Sequence, residues 1–242
     1  MQKKFYKDLY SLEDKHWWHI NKRAVVMRMI RKFAGAKKKL KLLDIGCGTG
    51  KTLEEISRLG EAYGVDISKE AIKFCKKRGL ENAKLGSSYK TGFKDSSLDI
   101  CTLLDVLEHT DDKKTLKEMH RVLKREGYLI ITVPAFKFLW SKWDDVLMHK
   151  RRYTQNNLTE VIESHGFEVV KISYMYSFLV LPVLMIRLIK SKQYRDDYPS
   201  DFHLSNSLLN LIFLTLAKAE YIFSSLIPIP FGTSLVCVSK KK

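Results

Sequence analysis

Leu42-Leu43-Asp44-Ile45-Gly46-Cys47-Gly48-Thr49-Gly50 is the stretch whose reading decides the fold. An apolar run, Leu40 to Ile45, ends on an acid and three glycines, and a helical pattern, Thr52 to Leu59, follows. Strand, bare turn and helix in that order form the unit at which doubly wound sheets hold nucleotide-like ligands, because glycine lets a ligand lie against backbone. Working outward, strand and helix patterns alternate as a βαβ architecture requires. Strands are predicted over Glu61 to Val65, Ala83 to Leu85, Leu98 to Leu104, Tyr128 to Val133, Phe167 to Ser173 and Ser234 to Ser239. Leu98 to Leu104 is apolar apart from Asp99 and Thr102 and reads as a strand covered on both faces. Helices are predicted over Lys69 to Arg78 with Ser68 as N-cap, Lys113 to Leu123, and Asn157 to His165 with Thr154 as N-cap. Upstream, Phe5 to Arg31 reads as one helix and Ala36 to Lys41 as a basic turn. The predicted fold is α/β, a doubly wound Rossmann-like sheet.

Three ligand classes compete for the glycine turn. A dinucleotide fingerprint counted from Gly46 and Gly48 needs a small residue at 51, where Lys51 stands. A phosphate-cradling loop ending at Gly50-Lys51-Thr52 needs glycine at 45, where Ile45 stands. A cationic adenosyl ligand fits better. Asp44 would attract an ammonium and repel a pyrophosphate, and Asp66, twenty residues after Gly46, is placed to accept from ribose hydroxyls.

The turn resembles motif I of the class I S-adenosylmethionine-dependent methyltransferases. The likeness continues through Ser96-Ser97-Leu98-Asp99-Ile100, through Leu104-Asp105-Val106-Leu107-Glu108-His109, and through Arg121 to Tyr128. It implies S-adenosyl-L-methionine as cofactor, a mostly parallel sheet with an antiparallel last strand, and cofactor contacts from Asp44, Gly46, Cys47, Gly48, Gly50, Asp66, Ile67, Leu104 and Asp105. One departure follows the third strand. Gly86-Ser87-Ser88 stands where relatives often carry an adenine-binding Asp, which leaves Ser87 or Ser88 as a weaker partner. A narrower resemblance, to methyltransferases associated with surface-glycan biosynthesis, rests on His16-Trp17-Trp18, Arg23, Trp140, Asp144, His149, Arg151 to Thr154 and Pro230 to Leu235. It implies an N-terminal helix that helps cover the cofactor.

Methyl transfer is an in-line displacement, and a hydroxyl acceptor needs a proton acceptor. His109 and His149 are the candidate catalytic residues. If Trp140 to His149 is helical, Asp145 lies at i, i+4 from His149 and would orient it; a solvated polar face is the alternative. Trp140, Arg151, Arg152 and Tyr153 are candidate substrate-binding residues. The two arginines either clamp an anionic acceptor or pair with Asp144 and Asp145. No metal site is expected, since Cys47, Cys75, Cys101 and Cys237 contain no CxxC pair and read as buried thiols.

The sequence divides into an N-terminal helical cap (1–36), the cofactor-binding core (37–173 and 234–242) and an apolar helical insertion (174–233). Within the insertion, Tyr174 to Ile189 and Leu204 to Ile229 are apolar but interrupted by charges, with Arg187, Lys190, Lys192 and Arg195 nearby. It reads either as a lid buried on the core or a partner chain, or as a helix pair lying on a membrane surface. Lys and Arg exceed Asp and Glu by 16, which favours anionic partners or serves solubility. The expected acceptor is a small molecule, glycan or lipid-linked compound methylated on oxygen. A nucleic-acid (RNA) methyltransferase or basic nucleic-acid-binding protein is the alternative, although no tetrapeptide of the N-P-P-Y kind follows the fourth strand. A membrane-attached cofactor-binding protein without turnover is a third reading. With no leader sequence at Met1 to Tyr10, the expected location is cytoplasmic, with a peripheral place on the inner face of the membrane only in the alternative where the insertion lies on a membrane surface.

Overall fold

A computed structural model describes residues 3–35, 39–190, 206–224 and 227–242. Its seven strands are β1 (Leu40–Ile45), β2 (Gly60–Asp66), β3 (Ala83–Leu85), β4 (Leu98–Leu104), β5 (Leu123–Pro134), β6 (Phe167–Met175) and β7 (Ser234–Lys241), in the order β3-β2-β1-β4-β5-β7-β6. The pairs among β1 to β5 are parallel, and β7 runs antiparallel to both β5 and β6. The order reverses between β1 and β4, so a crevice opens at the carboxyl ends of those two strands.

Strand alternation builds two cores. Leu42, Ile100, Ile130 and Val236 point to one face, under α2 (Trp17–Ala34), α3 (Lys51–Ile56) and α4 (Lys69–Lys77). Leu43, Cys101, Leu103, Leu129 and Ile131 point to the other, under α5 (Asp112–Val122) and α7 (Gln155–Glu163). Both faces are covered, which is why the central strands are mostly apolar, with polar residues such as Asp44, Asp99 and Thr102 buried among them.

Three boundaries differ from expectation. The long N-terminal helix is two helices, α1 (Lys3–Leu12) and α2. The chain breaks between them because Glu13 turns inward to accept from Thr49 and Arg78, and the His16 ring then accepts from Trp18 N–H to cap α2. Strand β5 starts at Leu123, directly after α5, where Leu123 pairs with Leu98; an irregularity then absorbs Glu126 at φ 64° before Tyr128 meets Ile100. Trp140 to His149 is not one helix. Only α6 (Lys142–Val146) forms there, capped by Ser141 and Asp144, and Met148 at φ 58° turns the chain away. Of the expected basic turn, residues 36–38 lie outside the described residues, as do Lys192 and Arg195.

Between β6 and β7 lie α8 (Val180–Lys190) and α9 (Ser207–Phe223). Helix α9 rests on α2. Trp17 meets Tyr176 and Phe213 with ring centroids 5.3 and 5.4 Å apart, Trp17 N–H donates to Asn210 Oδ1 at 2.7 Å, and Ala217 is buried. Glu220 accepts from the backbone and hydroxyl of Ser177, which fixes α9 to the end of β6. Among the described residues, no helix is long and apolar enough to cross a membrane.

Candidate active site

The turn after β1 is built from left-handed backbone. Gly46, Gly48 and Gly50 have φ of 68°, 54° and 91°. A Cβ on Gly46 would stand 2.4 Å from the Val106 side chain, so the loop after β4 presses on bare backbone here. Asp66 accepts from Gly48 N–H at 3.0 Å and Ser68 N–H at 2.8 Å, which ties the turn to the end of β2. Ile67 beside it is 79% exposed, an apolar side chain held open at the crevice.

Asp44 is buried and accepts from Thr102 Oγ1 at 2.6 Å. Burial pushes its carboxyl up to about 7, partly opposed by the Thr102 hydrogen bond, and the nearby Asp66 adds to the rise. Burial likewise raises Asp66, against its two backbone hydrogen bonds. Asp105 follows β4 at φ 55°, accepting from Thr132 Oγ1 at 3.1 Å and pairing with the buried Lys22, whose ammonium sits 3.2 Å from the Trp18 ring centroid. Two underneutralised carboxyls beside open backbone suit a cationic ligand with a diol and disfavour a pyrophosphate. S-adenosylmethionine meets that description: Asp44 would face its ammonium, Asp66 its ribose and Ile67 its adenine. Cys47 is buried with its Sγ 3.9 Å from Cys75, Leu104 is half-buried at the strand end, and Ser87 is engaged in a local turn, accepting from Tyr89 N–H.

Helix α1 covers this turn. Tyr6 is buried beside Asp66 and Ser68, Leu9 comes within 3.7 Å of where a Gly48 Cβ would stand, and the buried Glu13–Arg78 pair (2.5 Å) pins the end of the helix. Lys51–Asp14 (2.7 Å) and Arg23–Glu55 (2.8 Å) add to the closure. An open cavity of about 580 Å³ lies at the opposite end of the sheet, against Asp95, Ser96, Arg121 and Lys241, away from the turn.

A second cluster stands past β4. The His109 and His149 rings lie edge to face with centroids 4.7 Å apart. Asp144 orients His149, its Oδ1 accepting from Nδ1 at 2.9 Å, whereas the expected partner Asp145 accepts from Trp140 Nε1 instead. The broken helix explains the exchange: α6 ends at Val146, and the left-handed turn at Met148 returns the chain to Asp144, with His149 N–H donating to its carbonyl at 2.8 Å. Arg152 grips both oxygens of Asp144 at 2.7 and 3.0 Å, and donates to Ala135 O. Burial works to raise Asp144, but His149 and Arg152 outweigh it and hold the carboxyl well below the usual range. Arg151 pairs with Asp112 at 2.5 Å, and Tyr153 is buried beside it. The guanidiniums of both arginines are therefore committed to internal carboxylates, the pairing alternative read from the sequence, with Asp112 in place of Asp145. Burial, then the neighbouring His149, lowers His109, which leaves its ring neutral near pH 7.

Sequence reasoning passed over Lys22, Glu13, Arg78 and Glu108. Glu108 is fully buried and neither carboxylate oxygen has a hydrogen-bond partner. The signal for Lys22 was its place one turn after Trp18; nothing local in the sequence marks the other three as buried.

A family model described as a methyltransferase domain matches residues 43–131. An uncharacterised protein of Methanocaldococcus jannaschii is 38% identical over 93 residues, 38% of this chain and 36% of that one. The demethylmenaquinone methyltransferase of Staphylococcus aureus is 32% identical over 136 residues, 50% of this chain and 56% of that one. The chain thus spans between about a third and just over half of these curated relatives. Among solved structures, a Thermotoga maritima S-adenosylmethionine-dependent methyltransferase, described as a possible histamine N-methyltransferase, shares the fold, with a TM-score of 0.64 at 19% identity over 99% of this chain and 96% of that one. Residues 43–131 thus match a methyltransferase domain, and the sheet that holds them has the fold of S-adenosylmethionine-dependent methyltransferases, whose cofactor is S-adenosylmethionine.

Proposed function

We propose that the whole protein is a methyltransferase that methylates an oxygen of a small-molecule, glycan or lipid-linked acceptor. One observation carries this reading. The carboxyl ends of β1, β2 and β4 bring Asp44, Asp66 and bare glycine backbone to the same crevice edge as the His109–His149 pair. When bound, the cofactor supplies a methyl group already activated on a sulfonium. The chain's own residues do the rest. Asp44 and Asp66 hold the two ends of the cofactor, and α1 closes over the turn to exclude water. The imidazole of His109 or His149 takes the acceptor's proton on Nε2, since both Nδ1 atoms face acceptors, Met148 O at 3.4 Å and Asp144. The Staphylococcus relative's name points to a small-molecule acceptor and supports the same class here.

A second part of the reading concerns where the acceptor is met. The outward face of α9 is apolar along its length: Leu208, Leu211, Ile212, Leu216, Ile222 and Phe223 are exposed, as are Leu181, Met185 and Ile186 of α8. Arg28 and Lys171 stand over the Tyr221 ring on the flank of α9, with Lys32 beside Lys171, and Lys218 is exposed on the helix. An apolar face with a basic border suits an anionic lipid surface. Flotation with vesicles containing anionic lipid tests it. The wild type should float and the Leu211→Ser/Ile212→Ser/Phe223→Ser variant should not; equal flotation of both removes the membrane from the proposal. The enzyme reading is tested by incubating the protein with S-adenosylmethionine and acceptor extracts and following release of S-adenosylhomocysteine. Cofactor binding with no release from any glycan or lipid extract counts against the acceptor class.

A further inference from the structure

We infer that Glu108, His109 and His149 form a binding site for one divalent transition-metal ion of the zinc or manganese kind. Glu108 comes from the turn after β4 and His149 from the loop after α6, forty-one residues later, yet their ligand atoms and those of His109 all lie within 4.8 Å of one another. Glu108 is 0% exposed, and among the described residues no side chain donates to either of its oxygens; only its own backbone N–H stands near. A buried carboxylate without partners is costly, and no cation among its neighbours is spare. The charges that act on it are Asp105, Lys22 and Arg152, and Lys22 and Arg152 are already paired with Asp105 and Asp144. Glu108 is thus left without a counter-ion of its own, and a divalent ion would supply one.

The histidines are prepared for the same task. Each directs Nδ1 at an oxygen, His149 at Asp144 and His109 at Met148 O, which leaves Nε2 as the lone-pair donor on both. A carboxylate behind a histidine is the usual device for orienting a metal-bound imidazole and raising its basicity. Arg152 and Ser141 fix Asp144 in turn. Two imidazoles and one carboxylate leave coordination positions open, as in catalytic rather than structural sites. Bonds of about 2.0–2.2 Å at tetrahedral angles place the donors about 3.4 Å apart.

The inference rests on the proposed function and changes one step of it: with both Nε2 atoms on the ion neither histidine takes the proton, and the ion would instead acidify an acceptor hydroxyl beside the methyl donor so that its proton leaves to solvent. Its binding test does not depend on that function. Chelator-treated full-length protein is titrated with Mn2+, and the fall in the free-ion electron paramagnetic resonance signal is read; Zn2+ is then used to displace it. The expected result is one saturable equivalent, weakened at least about tenfold in Glu108→Gln and in His149→Ala, and unchanged in the surface variant His165→Ala. Glu108→Gln loses a buried unpaired acid, so the metal-free variant should stay folded by circular dichroism. Absence of saturable uptake at about 100 μM ion, which excludes a Kd tighter than about 100 μM, overturns the site. So does uptake that survives both Glu108→Gln and His149→Ala. Uptake in a protein that ignores S-adenosylmethionine would sink the methyltransferase reading and leave the metal site standing.

Discussion

Replacing Asp44 by Asn tests the cofactor geometry most sharply, because it removes a charge and almost no volume. The amide oxygen can still accept from Thr102, so the strand end should keep its shape. The lost carboxylate is asked to hold an ammonium in a dry site, where a charge-assisted hydrogen bond contributes about 1.5–3 kcal/mol, roughly a 10- to 150-fold fall in affinity. The pH profile adds a second signature. Burial raises the Asp44 carboxyl from 3.8 to about 7 in the ligand-free protein. A cation binds the ionised form, so apparent affinity should drop as pH falls through 7. From the ionised fractions, the wild type should bind about 25-fold more weakly at about pH 5.5 than at about pH 7.5. The stability linkage has the opposite sense. A raised folded-state pKa means Asp44 favours the ligand-free fold most below 3.8, and that contribution is gone above about 7. Calorimetric titration of S-adenosylmethionine at several pH values reads both effects, and the Asn variant should have lost this share of the pH dependence. A variant that binds as tightly as the wild type, with the same pH slope, refutes the assignment of Asp44 to the ammonium.

Three further expectations follow from single contacts. Gly46→Ala forces a Cβ into left-handed backbone and to within 2.4 Å of Val106; the backbone conformation alone costs about 1–2 kcal/mol, and cofactor affinity measured by calorimetry should fall at least about tenfold. Asp144→Asn leaves Arg152 buried with a neutral partner, a loss of about 3–5 kcal/mol, so the melting temperature in a thermal scan should drop by roughly 6–20 °C. Arg78→Ala removes the buried anchor of Glu13, and trypsin should then cut after Lys15 at least about tenfold faster than in the wild type, with bound cofactor slowing the cut. An unchanged cleavage rate would mean that α1 is held by its apolar contacts alone.

Much of the sheet was legible because its signals are local. A run such as Leu98 to Leu104 can only be a doubly covered strand, and Gly46-Cys47-Gly48-Thr49-Gly50 can only be a turn with bare backbone. The capping residues Ser68 and Thr154 were readable for the same reason, since each bonds a backbone N–H three residues on. What escaped depends on contacts across the fold. Nothing in Glu13-Asp14-Lys15-His16 says that the chain breaks there, because the break is made by Thr49 and Arg78 from elsewhere. The choice of Asp144 over Asp145 behind His149 turned on a left-handed Met148, which no periodicity predicts. The narrow resemblance had already flagged Asp144, but without its role. Glu108 appears in the sequence only as one residue of the Leu104–His109 motif, and only packing shows that its carboxylate is buried without a side-chain partner.

The most direct test is calorimetry of the purified full-length protein with S-adenosylmethionine, S-adenosylhomocysteine, NAD and ATP under one buffer condition. The account predicts saturable micromolar binding of the first two, lost when Gly46, Gly48 and Asp66 are replaced together, and no binding of the phosphate-bearing pair. Uptake of NAD or ATP, with none of either adenosyl compound, would contradict it.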